Sequence, residues 1–178
     1  ASCGGSERLL LHLCYFSWGH RATPKKPTEI LCFISDVNFN RELLIKEATA
    51  TQWLKQDESS PIVIHCLAGT ARSATIAVLD ICLKKLDDTA SRPCGPMLDV
   101  NDVVLRVRNQ RAMAMQKPEQ YLFLHLAALE YAVRQRYISE NTYNEIDLDN
   151  YFYNPQQTPP SKEKDDSVPK SPPSSKKT

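Results

Sequence analysis

Apolar positions recur with a legible period over the first 137 residues and lose it afterwards. RLLLHLCYF (8–16) is apolar enough for a strand, and SWGHRATPKKP (17–27) reads as a loop closed by prolines. Thr28 is placed to cap a helix over EILCFISDV (29–37), where Ile30, Leu31, Ile34 and Val37 share a face. A second helical stretch is ELLIKEATATQWLK (42–55), followed by a turn at QDESSP (56–61). PIVIH (61–65) is a short β-branched run of the kind found in the middle of a sheet. Beyond it Ile76, Leu79, Leu83 and Leu86 return at helical spacing, until LDDTASRPCGP (86–96) breaks that helix. Asp99 or Asn101 starts another across VVLRVRNQR (103–111), and 119–136 holds the longest periodic helix. Strands early and helices late predict an α/β (α+β) domain, a central mixed sheet flanked by helices.

From 138 the pattern changes. ISENTYNEIDLDNYFYNP has no helical period, and QQTPPSKEKDDSVPKSPPSSKKT is low-complexity Pro/Ser/Lys sequence. Such a segment cannot bury enough apolar surface to offset chain entropy, so a disordered tail over 138–178 is expected behind a domain at 1–137. In the tail, Tyr143-Asn-Glu-Ile resembles a phosphotyrosine docking site, and SPP and TPP resemble proline-directed phosphorylation sites, which would admit phospho-dependent partners. The bland reading is an exposed tyrosine in an acidic stretch and prolines of a kind common in tails.

Composition narrows the function classes. An apolar fraction of 42% and a charged fraction of 24% are ordinary for a soluble domain. A net charge of +1 gives no basic face for nucleic acid or a membrane surface. No apolar run nears the ~20 residues of a membrane span, and LLLHLCYF is not a secretory core, being interrupted by His12 and preceded by Glu7 and Arg8. The six cysteines, at 3, 14, 32, 66, 82 and 94, form no CxxC pair and no zinc spacing. They read as reduced thiols of an intracellular, cytoplasmic protein, with no metal site. The chain starts at Ala1 rather than Met, as a piece of a longer protein would.

The candidate chemistry lies in HCLAGTARS (65–73). A thiol at the end of a buried strand and just before a helix N-terminus sits where backbone N–H groups converge, which favours thiolate. Gly69 lets the loop close tightly, and Ser73 can donate toward the sulfur of Cys66. Arg72, six residues on, can bring its planar fork back to bind two oxygens of an oxyanion. A nucleophilic sulfur on the floor of an anion cradle with an arginine clamp is suited to attack on phosphorus. A buried structural cysteine beside a surface arginine is the bland alternative.

HCLAGTARS resembles the Cys-x5-Arg signature of the cysteine-dependent protein tyrosine phosphatases. RNQRAMAMQKPEQYLF (108–123) is similar to the arginine and glutamine segment of the tyrosine-specific members, and LHLCYFSW (11–18) to the strand leading into their Trp-Pro-Asp loop. The segments follow the family's order over about residues 8–135, corresponding to the C-terminal half of that catalytic domain. LDICL and QKPEQYLF look nearest to the non-receptor branch that carries a Sec14-like lipid domain. The resemblance implies a partial protein-tyrosine-phosphatase fold, phosphotyrosyl proteins or peptides as partners, and no cofactor. It implies that Cys66 forms a phosphocysteine intermediate, within a cradle of Leu67, Ala68, Gly69, Thr70 and Ala71, while Arg72 holds the phosphoryl group. Ser73 would assist breakdown of the intermediate, Gln116 and Gln120 would position the hydrolytic water, and His65 and Arg111 would support the loop. For the glutamines the bland reading is a polar face at i, i+4.

Three departures stand against that pattern. Trp18-Gly19-His20 occupies the place of Trp-Pro-Asp, so the aspartate general acid is replaced by His20. A positioned acid is worth ~10²–10⁴-fold, and histidine retains an appreciable protonated fraction near neutrality. Ala71 stands where tyrosine-specific members usually carry glycine, which is harmless if its φ is negative. No phosphotyrosine-recognition loop precedes residue 8. Two readings follow: a phosphotyrosine-protein phosphatase slowed by loss of its acid, or a pseudophosphatase that binds phosphotyrosyl proteins with little turnover. A dual-specificity enzyme is a distant third.

Overall fold

The computed structural model describes residues 2, 3, 6, 7, 10–19, 22–24, 26–56, 58 and 60–141. His20, Tyr143 and the tail from residue 142 onward lie outside the described residues. The chain divides into a unit of residues 1–143 and a second of 144–178. All that follows concerns the first.

Four helices carry this unit: α1 (Thr28–Ala50), α2 (Arg72–Ala90), α3 (Val100–Gln110) and α4 (Pro118–Arg134). Helix α2 packs against α3 and α4, and α1 packs against α4. The core is where these faces meet: Ile30 and Ile34 of α1, Val78, Leu79 and Cys82 of α2, Val103 and Val104 of α3, and Phe123 and Leu124 of α4. Trp18 and Met115, both outside helices, are buried in the same cluster. They tie the two loops beside the candidate site to the most rigid part of the molecule.

Local chemistry explains the helix ends. Asp99 caps α3, its carboxylate accepting from the Asp102 N–H at 3.0 Å. Pro118 opens α4, where its missing N–H has no intrahelical partner to lose. Helix α2 persists through Asp87 and Asp88 to Ala90, so the break expected from residue 86 falls instead within SRPCGP. The two helices expected over 29–37 and 42–55 are one, because NFNR (38–41) contains neither Gly nor Pro and its turn-forming side chains are occupied. Asn38 donates to Asp80 at 2.9 Å, and Asn40 donates to the Asp36 carbonyl at 2.8 Å. The expected Thr28 cap is absent; Pro27 holds the cap position and the Thr28 hydroxyl donates to Glu130 at 2.6 Å.

The expected central mixed sheet is not present among the described residues, which correct the α/β (α+β) expectation to a helical unit. The only ladder is antiparallel and two residues long on each side: β1 (Ser2–Cys3) with β2 (Ser6–Glu7). Residues 10–16 and 61–65 are irregular rather than strands. They lie close enough for the His12 and His65 rings to stack with centroids 5.8 Å apart, yet no ladder joins them. A β-branched run becomes a sheet strand only when neighbours take up its alternate N–H and C=O groups and cover its faces. Here Val63 is 86% and Phe16 89% exposed, so the apolar pattern is real but uncovered. No helix among the described residues is long and apolar enough to cross a membrane.

Candidate active site

Cys66 ends the 61–65 run, and 67–71 bend directly into the first turn of α2. The Gly69 N–H donates to Cys66 Sγ at 3.3 Å, and Ser73 Oγ lies 3.3 Å from the same sulfur. Partial burial pushes the thiol up. The Ser73 hydroxyl and the backbone N–H groups of Ser73, Gly69 and Ala68 outweigh it, and the group settles at about 6. Cys66 is therefore a thiolate at neutral pH. Cys82 is the contrast: the same thiol, buried in the core of α2, is pushed up to about 11 by burial.

The loop is held from behind. Arg111 donates from Nε to the Gly69 carbonyl at 3.3 Å and from Nη2 to the Ala68 carbonyl at 3.4 Å. The Met115 N–H donates to the Thr70 carbonyl at 3.0 Å, and Thr75, through both N–H and hydroxyl, donates to the Ala71 carbonyl. In a planar trans peptide the C=O of one residue and the N–H of the next point in opposite directions. Drawing the carbonyls of 68–71 outward therefore turns the N–H groups of 69–72 inward, and the Gly69 bond to sulfur is the first of these. The result is a loop that turns backbone N–H groups toward the Cys66 sulfur. Gly69 has φ +69, and a Cβ there would meet the Arg111 guanidinium at 3.0 Å. Ala71, with φ −98, accommodates its side chain without strain.

Arg72 is tied on its other side. Its Nη1 donates to the Trp18 carbonyl at 3.3 Å. Trp18 in turn is buried, its indole Nε1 donating to the Ala22 carbonyl at 2.6 Å and its ring centroid 6.0 Å from Phe123. Trp18 is thus roped to Arg72, and His20 lies outside the described residues. Gln116 is exposed and follows directly on Met115. Gln120 is 2% exposed, and its Oε1 has no hydrogen-bond partner among the described residues; the buried Thr70 hydroxyl is in the same position. His65 stacks on His12. Leu67, beside the nucleophile, is 82% exposed. The sequence reading missed Arg108, Met115 and Thr75 as loop supports. Arg108 and Arg111 at i, i+3 are a usable signal for one helical face, whereas nothing in the sequence marks a methionine N–H as a loop anchor.

The family profile described as protein-tyrosine phosphatase matches residues 2–130. The chain belongs to this family. Human tyrosine-protein phosphatase non-receptor type 9 is 33% identical over 133 residues, which is 75% of this chain and 21% of that protein. Tyrosine phosphatase H3 of Microplitis demolitor bracovirus is 32% identical over 73% of this chain and 37% of its own length. Tyrosine-protein phosphatase 99A of Drosophila melanogaster is 31% identical over 70% of this chain and 8% of its own. The chain thus spans about a fifth of the human relative. Membership in the protein-tyrosine phosphatase family accounts for a cradle, a thiolate and a guanidinium on one loop.

Proposed function

We propose that this chain carries the nucleophile and phosphate cradle of a protein-tyrosine phosphatase, and that it hydrolyses phosphotyrosyl proteins. Cys66 Sγ attacks phosphorus, the P–O bond to the tyrosyl oxygen breaks, and that oxygen leaves with a proton from an acid. Water then attacks the phosphocysteine, the S–P bond breaks, and inorganic phosphate departs as the thiolate is restored. Arg72 and the N–H groups of 67–72 take the phosphoryl charge, so the chemistry as written uses no metal or organic cofactor. Ser73 stabilises the sulfur as leaving group. Gln116 and Gln120 orient the water, His65 and Arg111 support the loop, and His20 supplies the proton. The observation that carries this reading is the sulfur of Cys66 with the Gly69 N–H and the Ser73 Oγ each 3.3 Å away, on the loop that runs into Arg72, an arrangement that lowers its pKa. The free thiols at Cys14, Cys32, Cys66, Cys82 and Cys94 favour a reducing, cytoplasmic setting.

A second reading, a pseudophosphatase that retains phosphotyrosyl partners, is favoured by one observation. Gly19-His20 stand where the family carries Pro-Asp. Turnover of a phosphotyrosyl peptide, compared with Cys66→Ser and His20→Asp, separates the two. The first reading expects turnover that Cys66→Ser abolishes and His20→Asp raises by ~10²-fold. Silence in both the parent and His20→Asp, with peptide still bound, leaves only the second.

A further inference from the structure

Arg108 stands near the C-terminal end of α3, and its guanidinium is spent on backbone. Nε donates to the Ala114 carbonyl at 2.9 Å and Nη2 to the Met115 carbonyl at 2.7 Å. These are consecutive acceptors in the turn that joins α3 to α4. That turn is unfavourable for its sequence: Met113 has φ 64 and Met115 φ 60, the left-handed region that residues with a Cβ adopt only when their surroundings impose it. In return the turn delivers two things to the loop. The Met115 N–H reaches the Thr70 carbonyl at 3.0 Å, and the Met115 side chain, 3% exposed, packs its Sδ 3.4 Å from the Thr75 hydroxyl oxygen.

We propose that Arg108 is a positioning residue for the phosphate cradle. By chelating the Ala114 and Met115 carbonyls it holds two methionines in a left-handed turn, and the turn holds the Thr70 carbonyl outward. The peptide linking Thr70 to Ala71 then keeps its N–H turned into the cradle. Both hydrogen bonds of the Arg108 guanidinium described here go to the turn, to Ala114 and Met115, and not to the 66–72 loop. A lysine cannot take its place, since a single ammonium cannot match the planar fork that spans two consecutive carbonyls. The mechanical half of this inference stands on the turn alone; its bearing on phosphate rests on the function proposed above.

The test compares the full chain with Arg108→Lys and with Arg106→Lys. Arg106 pairs with Asp102 on the exposed face of the same helix and does not touch the turn, so it controls for loss of an α3 arginine. Amide exchange of 111–117 is read by mass spectrometry, and inorganic phosphate is titrated as a protectant of Cys66 against iodoacetamide. Arg108→Lys is expected to speed exchange of 111–117 about tenfold and to raise the half-protecting phosphate concentration about tenfold. Exchange in α2 and α4 stays at the parent rate, and Arg106→Lys changes nothing. Met113→Gly, at an exposed position where glycine adopts the same φ freely, is expected to recover part of the loss in the Arg108→Lys background. Unchanged exchange in 111–117 overturns the proposal, as does a loosened turn with undiminished protection. So does general loosening of α2 and α4 that Met113→Gly fails to relieve. If phosphate does not protect the parent, the functional reading fails, while the exchange arm still decides the role of Arg108.

Discussion

A thiol whose ordinary pKa is 9.0 stands at about 6 here, and four donors contributed by three residues are responsible. The rate of Cys66 alkylation by iodoacetamide should therefore rise through about pH 6 and level off above it. Ser73→Ala, which removes the strongest of the lowering hydrogen bonds, should move that midpoint upward. The linkage has a definite sign. Between pH 6 and 9 the unfolded thiol keeps its proton while the folded one has lost it, so this group makes stability rise with pH across that window. Thermal unfolding of Cys66→Ser should show that slope flattened. Gly69→Ala tests the loop backbone: with φ +69 and the Arg111 guanidinium 3.0 Å from the new Cβ, orthophosphate protection of Cys66 should fall at least tenfold. At this scale the sequence was informative, because Cys66, Gly69 and Ser73 lie within one short run, and the Gly69 N–H and Ser73 Oγ both come to 3.3 Å from the sulfur. Met115 reaches Thr70 from a distant part of the chain and Arg108 acts through the carbonyls of Ala114 and Met115, and a sequence bears no mark of which carbonyl a side chain will find.

Helices were readable from their own residues and strands were not. The cap at Asp99, the proline opening α4 and the apolar face of 119–136 are local, so they survive whatever surrounds them. Asp99→Ala should lower unfolding free energy by about 1 kcal/mol, read from denaturant midpoints at constant slope. Because α3 carries Arg108 and ends at the Arg111 cap, the same variant should also quicken amide exchange in 111–117. The run at 61–65 has the composition of a central strand, but strand formation is a property of a pair. Its residues lie beside 10–16 without a ladder, and no local rule foretells which neighbour will be present. The fusion of two expected helices into α1 has the same origin in reverse: residues 38–41 were left between the two, and the partner that occupies Asn38, Asp80, lies on a different helix.

Over the whole unit the helices share one core, while the segments leading into Cys66 and Trp18 carry uncovered apolar side chains. Leu10, Phe16, Ile62, Val63 and Ile64 are all exposed, and extended apolar segments of this kind promote association between chains. Light scattering of the isolated chain should rise with concentration. Phe16→Lys with Val63→Lys should suppress that rise without altering Cys66 alkylation, since neither side chain is part of the cradle. A different consequence follows from the hydrogen bond between Arg72 and the Trp18 carbonyl. An oxyanion that engages both arms of the guanidinium must share or displace that carbonyl, so occupancy of the cradle and the seating of residues 17–19 are coupled. Coupling of this kind is reciprocal: whatever the anion does to the tryptophan segment, that segment does equally to anion affinity. Since the indole is packed against Phe123 in the core, the protein carries its own optical gauge, and the emission of Trp18 should report the filling of a site it never touches.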